Sequence, residues 1–342
     1  MVLTTSCSTR SATDCALNLF PSTASGLILG DLRITSWQTR SLPGSRSCGN
    51  SDDRIAGKMK SRFLVTGATG FTGRHLCGFL RGKACFEIHA TDNKLGDGIE
   101  GCDLSDSLMV ESLLQKIRPA GIFHCVGSFS DSWEMNLQTN VAITRSLLAA
   151  LLATGLRSRV LLIGSAAEYG FASEGAVSEE CPLHPVSIYG LTKAMQTALM
   201  DYYCRRHGMD VVMARTFNLY GDGCSPLLFP GRVLQQVRQV REGLKKKIEV
   251  RSLKSSRDYL DVSAAVAAYL RIMRYGSGGE VYNVGSGQPV GMDRILLDLI
   301  SPFGLSMSDV EILANDAEAK TDVPMIYADI TKLNQLPSLE LM

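Results

Sequence analysis

The sequence predicts an α/β protein, with a doubly wound, largely parallel sheet that carries helices on both faces and a smaller C-terminal lobe. Short apolar strand patterns alternate with amphipathic helix patterns from residue 61 onward, as in repeated βαβ units. The first strand pattern runs directly into a glycine-rich turn and a helix. The chain has 342 residues, 45% of them hydrophobic, which suffices for one large α/β domain or two smaller ones.

The composition is that of an ordinary globular chain. A formal net charge of +1 and 20% charged residues indicate neither a nucleic-acid partner nor a membrane surface. No apolar run reaches the roughly 18 residues that span a bilayer. The ten cysteines are scattered without a C-x-x-C pair, so we expect reduced thiols and no metal site. These features predict a cytoplasmic protein.

Residues 1–60 differ from the rest of the chain. They are rich in Ser, Thr and Arg and lack a sustained helix or strand period. Three interpretations remain open: a disordered extension, an organellar targeting segment, or translated upstream sequence with Met59 as the working start. The fold is expected to begin at about residue 61, and import into an organelle stays an alternative to the cytoplasm.

The first turn has the form of a phosphate-binding loop. The strand pattern at Arg62–Thr66 is followed by closely spaced glycines and by a helix pattern that reaches about Arg81. Glycines permit a tight turn and let a pyrophosphate approach the backbone at the positive helix N-terminus. A plain strand-to-helix turn is the alternative. The candidate cofactor-binding residues of this turn are Gly67, Thr69, Gly70, Phe71, Thr72 and Gly73.

Asp92 ends the second strand pattern, Phe86–Thr91, and follows Gly73 by 19 residues. That offset is typical of a carboxylate that binds the adenosine ribose hydroxyls, and a carboxylate there disfavours a 2′-phosphate. The expected cofactor is NAD or NADP, with NAD favoured by Asp92, while Lys94 or Arg74 would reverse the preference. A turn or capping role is the alternative for Asp92.

Three further positions are candidates for contact with the cofactor or its surroundings. Asp103 and Leu104 follow a third short strand pattern and are expected to meet the adenine, unless Asp103 simply begins the helix pattern at Ser105–Arg118. Asn140 lies inside a later helix pattern, Trp133–Ala153, where Asn is a poor helix former. Its side chain either holds backbone or water near the site or faces solvent.

Ser165, Tyr189 and Lys193 form the candidate catalytic set. Ser165 follows the strand pattern Arg159–Gly164, at the sheet edge where open parallel sheets bind ligands. In a helix, Tyr189 and Lys193 lie four residues apart on one face. A Lys ammonium beside a phenol lowers the phenol's pKa, so the Tyr would work as acid or base nearer neutral pH. Ordinary surface spacing is the alternative for this pair.

Together these stretches resemble the extended short-chain dehydrogenase/reductase family that acts on nucleotide sugars, also called the NAD-dependent epimerase/dehydratase family. The resemblance extends over about residues 61–335 and implies a Rossmann-type fold, a bound nicotinamide cofactor and hydride transfer at a sugar carbon. It also implies that the Tyr exchanges the hydroxyl proton, while the Lys holds the nicotinamide ribose and tunes the Tyr. The stretches that carry it are Thr66–Gly73, Asn140, Gly164–Gly170 and Tyr189–Lys193.

The resemblance also assigns substrate-binding residues in the second half of the chain. The stretch after residue 215 is similar to a family segment whose Asn, here Asn218, meets the sugar-nucleotide phosphates. The helix that opens at Phe229 supplies a candidate nucleotide lid with Arg232. The stretch that begins with Arg257 resembles a segment whose Arg clamps the diphosphate, where a guanidinium makes two parallel hydrogen bonds. A surface ion pair is the alternative for Arg257.

The reaction class depends on the residues after Ser165. Sugar 4,6-dehydratases of the family carry an acid/base Glu two positions on, where this chain has Ala167, with Glu168 one place later. This difference argues against a dehydratase. The order Gly-Ser-x-x-Glu-Tyr-Gly, Ser225–Pro226 and Asp322–Pro324 are similar to GDP-4-keto-6-deoxy-mannose reductases. We therefore expect a 4-ketoreductase of a GDP-4-keto-6-deoxy-hexose, with a nucleotide-sugar 4-epimerase holding NAD tightly and a non-catalytic cofactor-binding protein as alternatives.

The predicted chain has two functional parts after its first 60 residues. Residues 61–216 are expected to form the dinucleotide-binding Rossmann domain with the catalytic set. Residues 217–342 are expected to form mainly the substrate-binding lobe, with part of the chain returning to the sheet. The resemblance implies a homodimer through helices next to the catalytic one, including Tyr189–Arg206.

Overall fold

A parallel sheet of seven strands forms the centre of the residues that the structure describes. The structure is a computed structural model, and it describes residues 60–94, 96–172, 175–313 and 325–339. Numbered along the chain, the strands in these ranges are β1 (Ser61–Thr66), β2 (Phe86–Asp92), β3 (Ile99–Gly101), β4 (Gly121–His124), β5 (Arg159–Ser165), β6 (Ala176–Val177), β7 (Val211–Thr216), β8 (Asn218–Tyr220), β9 (Ile248–Val250), β10 (Ser256–Arg257), β11 (Tyr259–Asp261), β12 (Val281–Val284), β13 (Val290–Gly291), β14 (Val310–Ile312) and β15 (Met325–Ala328).

Helices follow most strands of the main sheet, as the alternating pattern predicts. In the same described ranges the α-helices are α1 (Phe71–Arg81), α2 (Ser107–Ile117), α3 (Trp133–Asn136), α4 (Ile143–Thr154), α5 (Ile188–His207), α6 (Phe229–Arg241), α7 (Val262–Tyr275), α8 (Met292–Ile300) and α9 (Thr331–Gln335). A π-helical segment, Leu137–Ala142, joins α3 to α4, and the short 3₁₀ turns are Ala166–Glu168, Ser301–Phe303 and Met307–Asp309.

The strand order of the main sheet confirms the predicted fold class. The order is β12-β7-β5-β4-β1-β2-β3, and each neighbouring pair is parallel. From β1 the chain winds outward to β2 and β3, then crosses back to β4 on the other side of β1. The carboxyl ends of β1 and β4 therefore flank the crevice where open α/β sheets bind ligands.

Helices bury both faces of the sheet, and neighbouring residues of one strand point to opposite faces. Val65 and Phe123 pack with apolar side chains of α1 and α7 on one face. Leu64 and Ile122 pack on the other face with side chains of α2, α4 and α5. This double burial explains why these strands are continuous apolar runs rather than alternating ones.

The second half of the chain returns to the main sheet, as predicted, because β12 pairs with β7 at its edge. The other strands after β7 form smaller sheets, in which β10 pairs with β13 and β15, β11 with β8, and β14 with β9. Helices α6 and α8 pack through Val233, Val237 and Leu296 over Ile248 of β9. This small core lies in the part of the chain that follows β8.

Two predicted helices differ in detail. The helix predicted at Trp133–Ala153 is present, but its middle turns are π-helical. Helix α2 begins later than predicted, because Asp106 accepts hydrogen bonds from the backbone N–H groups of Leu108 and Met109. Asp106 therefore caps α2, and the alternative that Asp103 begins this helix is wrong.

Some predictions fall outside the described residues. They are those for residues 1–59 and for the segment Asp322–Pro324. Across the ranges that the structure covers, no helix is both long and apolar enough to span a membrane.

Candidate active site

A cavity of about 600 Å³ opens at the carboxyl ends of β4, β5 and β7. All three candidate catalytic residues line it, so the fold brings Ser165, Tyr189 and Lys193 to one site. The rest of its wall comes from the glycine-rich turn, the segment after β4, and the loops after β7 and β10. Lining residues outside the catalytic set include Phe71, Thr72, Gly127, Phe129, Asn218, Phe229, Arg257 and Tyr259.

Helix α5 positions Tyr189 and Lys193. Its N-terminus is capped by Ser187, whose Oγ accepts a hydrogen bond from the backbone N–H of Gly190 at 3.0 Å. A Cβ on Gly190 would come within 2.3 Å of the Ala167 carbonyl oxygen. The absence of a side chain at this position therefore lets the first turn of α5 pack directly on the 3₁₀ turn that follows Ser165.

The pKa of Tyr189 differs from the sequence prediction. Burial raises this pKa above its ordinary value, the nearby Glu168 carboxylate adds to the rise, and a hydrogen bond with Ser165 opposes it. The predicted net shift of the Tyr189 pKa toward neutral pH is therefore wrong. The phenol is protonated at neutral pH and is a proton donor.

Lys193 is buried, with 4% of its surface exposed, and its ammonium is held by two acceptors. Nζ donates to the Ile163 carbonyl oxygen at 2.7 Å and to Gln196 Oε1 at 2.9 Å. Burial lowers the pKa of Lys193 to about 8, against the opposing influence of Glu168 and Cys125. These two acceptors orient the ammonium, so only part of its hydrogen-bonding capacity is left for the phenol.

Asn140 is fully buried and fixes the segment after β4. Its Oδ1 accepts from the Ser128 backbone N–H at 2.8 Å, and its Nδ2 donates to the Ser128 carbonyl at 3.1 Å. Nδ2 also donates to Thr192 Oγ1 at 3.0 Å, which ties this segment to α5. The expectation that Asn140 holds backbone near the site is confirmed, and the solvent-facing alternative is wrong.

A buried ion pair lies beneath Ser165 and was missed in the sequence. Glu168 is fully buried and meets Arg215 of β7, with Oε2 lying 3.0 Å from Nη2 and 3.1 Å from Nε. Its other oxygen accepts from the Ser165 backbone N–H at 2.9 Å, and Thr197 Oγ1 donates to Oε2 at 2.6 Å. The sequence signal that could have indicated this pair is a charged residue, Arg215, within the apolar run of β7, because a buried charge requires a partner.

The glycine-rich turn has the geometry of a cradle for an extended ligand. Gly67 adopts φ +70°, and a Cβ there would come within 2.8 Å of the Val126 backbone nitrogen. A Cβ on Gly73 would come within 2.1 Å of the Gly67 carbonyl oxygen, so α1 packs tightly on the turn. No side chain caps the N-terminus of α1, whose N-cap is Gly70. Free backbone N–H groups at a helix N-terminus fit a pyrophosphate.

Asp92 is fixed toward this turn. Its Oδ2 accepts from the Thr69 backbone N–H at 3.0 Å and from Thr69 Oγ1 at 2.7 Å. The carboxylate thus lies beside the glycine-rich turn at the end of β2, which fits binding of a ribose diol and disfavours a phosphate. Arg74, which would reverse the preference, donates from Nη2 to the carbonyls of Asp222 and Gly223.

Asp103 and Leu104 lie apart from the cavity lining. Asp103 accepts from the backbone N–H and Oγ of Ser105 at 2.9 and 2.7 Å, in the turn before α2. Leu104 is buried in the core under α2. The Leu104 side chain therefore packs inward, and contact of either residue with an adenine stays a prediction.

Two of the three predicted substrate residues line the cavity. Asn218 does so while its Nδ2 donates to the Asp258 carbonyl at 3.0 Å, and Arg257 does so from β10. Arg232 is exposed and does not line it. Gly231 packs on the Ser225 carbonyl, where a Cβ would approach to 2.2 Å. Because each residue of an α-helix is turned about 100° from the one before it, Arg232 lies on a different side of α6 from Gly231.

Tyr259 is a lining residue that the sequence did not single out. Burial raises its pKa to about 12, against the opposing charges of Arg257 and Arg232. Arg232 is therefore near enough to act on the cavity wall through its charge. Within the residues that the structure covers, no group of three His, Cys, Asp or Glu side chains is arranged to hold a metal ion.

Known proteins are similar to this chain in sequence and in fold. The sequence profile described as NAD dependent epimerase/dehydratase family matches residues 63–285. The GDP-6-deoxy-D-mannose reductase of Pseudomonas aeruginosa is 32% identical over 265 residues, which cover 77% of this chain and 86% of that protein. The GDP-6-deoxy-D-talose 4-dehydrogenase of Aggregatibacter actinomycetemcomitans is 29% identical over 280 residues, covering 80% and 90%. The solved structure of RMD from Pseudomonas aeruginosa complexed with NADPH has a TM-score of 0.72 at 28% identity, covering 82% of this chain and 92% of that one.

Proposed function

The chain belongs to the NAD dependent epimerase/dehydratase family, and from this membership we propose that it is an NAD(P)-dependent nucleotide-sugar oxidoreductase. Its proposed reaction is reduction of the 4-keto group of a GDP-4-keto-6-deoxy-hexose. The observation that carries the proposal is that Ser165, Tyr189 and Lys193 share one cavity, while Glu168 is buried in an ion pair outside it. The similarity to a GDP-6-deoxy-D-mannose reductase supports the choice of substrate class.

Reduction of a ketone needs a hydride at carbon and a proton at oxygen. When bound, the reduced nicotinamide supplies the hydride. Tyr189, whose raised pKa keeps the phenol protonated, donates its proton to the carbonyl oxygen as negative charge develops there. Ser165 donates a hydrogen bond to the same oxygen, and the Lys193 ammonium stabilises the phenolate that remains.

The surroundings of Glu168 argue against a dehydratase. Elimination of water from a sugar needs an acid/base group in the cavity, and the expected position holds Ala167. Glu168 is one residue further along and accepts from Ser165, Thr197 and Arg215 instead. These hydrogen bonds occupy both carboxylate oxygens, so the carboxylate is unsuited to exchange protons with a substrate.

The cofactor and substrate assignments are part of the proposal. The cofactor would lie along the glycine-rich turn, with Asp92 at the adenosine ribose and Lys193 at the nicotinamide ribose. Asp92 favours NAD, whereas the Pseudomonas aeruginosa relative was solved with NADPH, so both cofactors need testing. The nucleotide sugar would meet Asn218 and Arg257, with residues 61–216 binding cofactor and residues 217–342 mainly binding substrate.

A homodimer formed through α5 is also proposed. Leu191, Met195, Ala198 and Tyr202 recur at helical spacing on one side of α5, and Leu191 and Tyr202 are 38% and 54% exposed. A stripe of apolar side chains on a helix surface is typical of a face that packs against a partner. The cytoplasmic location predicted from the composition remains part of this proposal.

The test is turnover of GDP-4-keto-6-deoxy-D-mannose by the full chain, with NADH and NADPH compared by loss of the absorbance of the reduced nicotinamide. We expect stoichiometric oxidation, and Tyr189→Phe should lower kcat about 10²–10⁴-fold, the usual contribution of a general acid. Tyr275→Phe, at the end of α7 away from the cavity, is the matched control. Conversion of a nucleotide hexose to its 4-epimer with catalytic NAD would instead identify an epimerase. Cofactor binding without either reaction would favour the non-catalytic alternative.

A further inference from the structure

A chain of buried polar side chains runs inward from Lys193. Lys193 Nζ donates to Gln196 Oε1 at 2.9 Å, and Gln196 Nε2 donates to Thr144 Oγ1 at 2.7 Å. His124 follows, with Nε2 at 3.1 Å from Thr144 Oγ1 and Nδ1 at 2.8 Å from Thr66 Oγ1. All the members beyond Lys193 are fully buried. The reaction described above uses none of these inner residues.

The hydrogen bonds fix the direction of the chain. Thr144 Oγ1 has a single proton, which it donates to the Asn140 carbonyl oxygen at 2.8 Å. Gln196 must therefore donate to Thr144 through its NH₂ group and turn its carbonyl oxygen toward Lys193. His124 must likewise donate from Nε2, so Nδ1 accepts from Thr66.

The neutral state of His124 is consistent with this arrangement. Burial and, to a smaller extent, the charge of Lys193 lower the pKa of His124 to about 3. A neutral imidazole has one donor and one acceptor, which are the two roles that Thr144 and Thr66 require. The orientation of the Gln196 amide is thus set by residues that do not touch the cavity.

The ammonium of Lys193 depends on its acceptors because it is buried. An ammonium has three donors, and the Ile163 carbonyl and Gln196 use two of them. The third is left for the cavity that Lys193 lines. Of the two acceptors, the Ile163 carbonyl belongs to the β5 backbone, so Gln196 is the one that a substitution removes.

We propose that Gln196 is a positioning residue, which holds Lys193 in its protonated form and directs one N–H toward the cavity. The expected effect of Gln196 on turnover rests on the proposed function. Its expected effect on the pKa of Lys193 does not. Gln196 acts through Lys193 and touches neither substrate nor cofactor. Thr144 and His124 support it by fixing its amide.

Several titratable groups surround Lys193 and enter its protonation equilibrium. Glu168 favours the ammonium from the turn after β5, and Cys125 does so from the end of β4. The other titratable groups near it are His124 on β4, Tyr189 one turn earlier on α5, and Tyr269 of α7 across the shared cavity. A substitution at Gln196 leaves all of these in place, so its effect on Lys193 is separable from theirs.

The experiment titrates Lys193 in the full chain labelled with [ε-¹³C]lysine, with its NMR signal assigned by its loss in Lys193→Arg. Gln196→Leu removes the acceptor and should lower the pKa of Lys193 by about one unit, while Gln196→Glu adds a charge and should raise it by about one unit or more. Thr144→Val frees the amide and should shift the pKa in the same direction as Gln196→Leu, by less. The alkaline limb of kcat/KM in ketone reduction should move in parallel.

Gln236 offers a matched control, because it is a buried glutamine on α6 whose Oε1 accepts from Lys245 at 3.2 Å, away from the cavity. Gln236→Leu and Gln236→Glu should leave the Lys193 titration unchanged. An unchanged Lys193 pKa in folded Gln196→Glu, or shifts of the same sign in both Gln196 variants, would overturn the inference. If the titrations shift as expected but no keto sugar is reduced, the positioning role stands and the proposed function fails.

Discussion

Replacement of Glu168 by Gln should destabilise the protein more than any surface charge change. Both partners of the Glu168–Arg215 pair are nearly inaccessible, with side-chain exposures of 0% and 3%. The carboxylate accepts three hydrogen bonds, from Ser165, Thr197 and Arg215 Nε, and Arg215 Nη2 lies 3.0 Å from Oε2. An amide in either orientation turns its NH₂ group toward donors and leaves the guanidinium without a counter-charge.

The expected magnitude follows from this burial. Removing one partner of a buried ion pair costs about 3–5 kcal/mol, because the remaining charge stays desolvated. With a urea m value of about 1–3 kcal/mol/M, the unfolding midpoint of Glu168→Gln should fall by at least about 1 M. Asp201→Asn is the matched control, since its pair with Arg205 is exposed and worth at most about 0.5 kcal/mol.

Urea unfolding followed by circular dichroism measures Glu168→Gln, Arg215→Met, the double variant that combines them, and the Asp201→Asn control. Removing the second charge also removes the uncompensated guanidinium, so the double variant should be more stable than Glu168→Gln alone by about 1 kcal/mol or more. The description of this pair would be refuted if Glu168→Gln lost less than about 1 kcal/mol of unfolding free energy. It would also be refuted if the double variant lost as much as the Glu168→Gln and Arg215→Met losses added together.

Three further changes test other parts of the molecule. Burial lowers the pKa of Lys193 from 10.5 to about 8, so between these pH values the unfolded chain binds more protons than the folded one. The free energy of unfolding should therefore rise from pH 8 to pH 10.5 in the wild type but not in Lys193→Met, as measured by urea unfolding at each pH. Gly73→Ala should weaken binding of NADH and NADPH at least about tenfold in fluorescence titrations, because its Cβ would meet the Gly67 carbonyl at 2.1 Å; unchanged affinity would exclude the tight-turn role. Tyr202→Glu on the apolar stripe of α5 should give a monomer in light scattering, whereas Leu108→Glu, 75% exposed on α2, should not.

The fold was predictable because each of its signals is local. Apolar runs alternate with helical periods, the turn after β1 is glycine-rich, and parallel strands need crossovers, so a doubly wound parallel sheet follows from the sequence pattern. That the three candidate catalytic residues share one cavity was predictable for the same reason. Ser165 ends a strand, and Tyr189 and Lys193 share one helix face, so topology brings them to the same sheet edge.

The electrostatics of the site was not predictable from spacing. The Tyr-x-x-x-Lys pattern indicates that an ammonium is near a phenol, but not that Ile163 and Gln196 already hold it. Burial then decides the direction of the Tyr189 pKa, and burial is a property of tertiary packing. Arg232 lies outside the cavity lining for a related reason, because the side of a helix that faces a cavity depends on how that helix packs, and its contact with substrate stays a prediction.

Charge balance connects the buried clusters to the proposed chemistry. Lys193 and Arg215 are buried cations. The Glu168 carboxylate forms an ion pair with Arg215, and its negative charge also favours the ammonium form of Lys193. With Tyr189 protonated, this group carries one excess positive charge in a medium that penalises it. Transfer of the phenol proton to a carbonyl oxygen leaves a phenolate, which neutralises the group. Burial and the nearby Glu168 carboxylate raise the pKa of the resting phenol, which keeps its proton available for transfer, and Gln196 keeps Lys193 charged beside it.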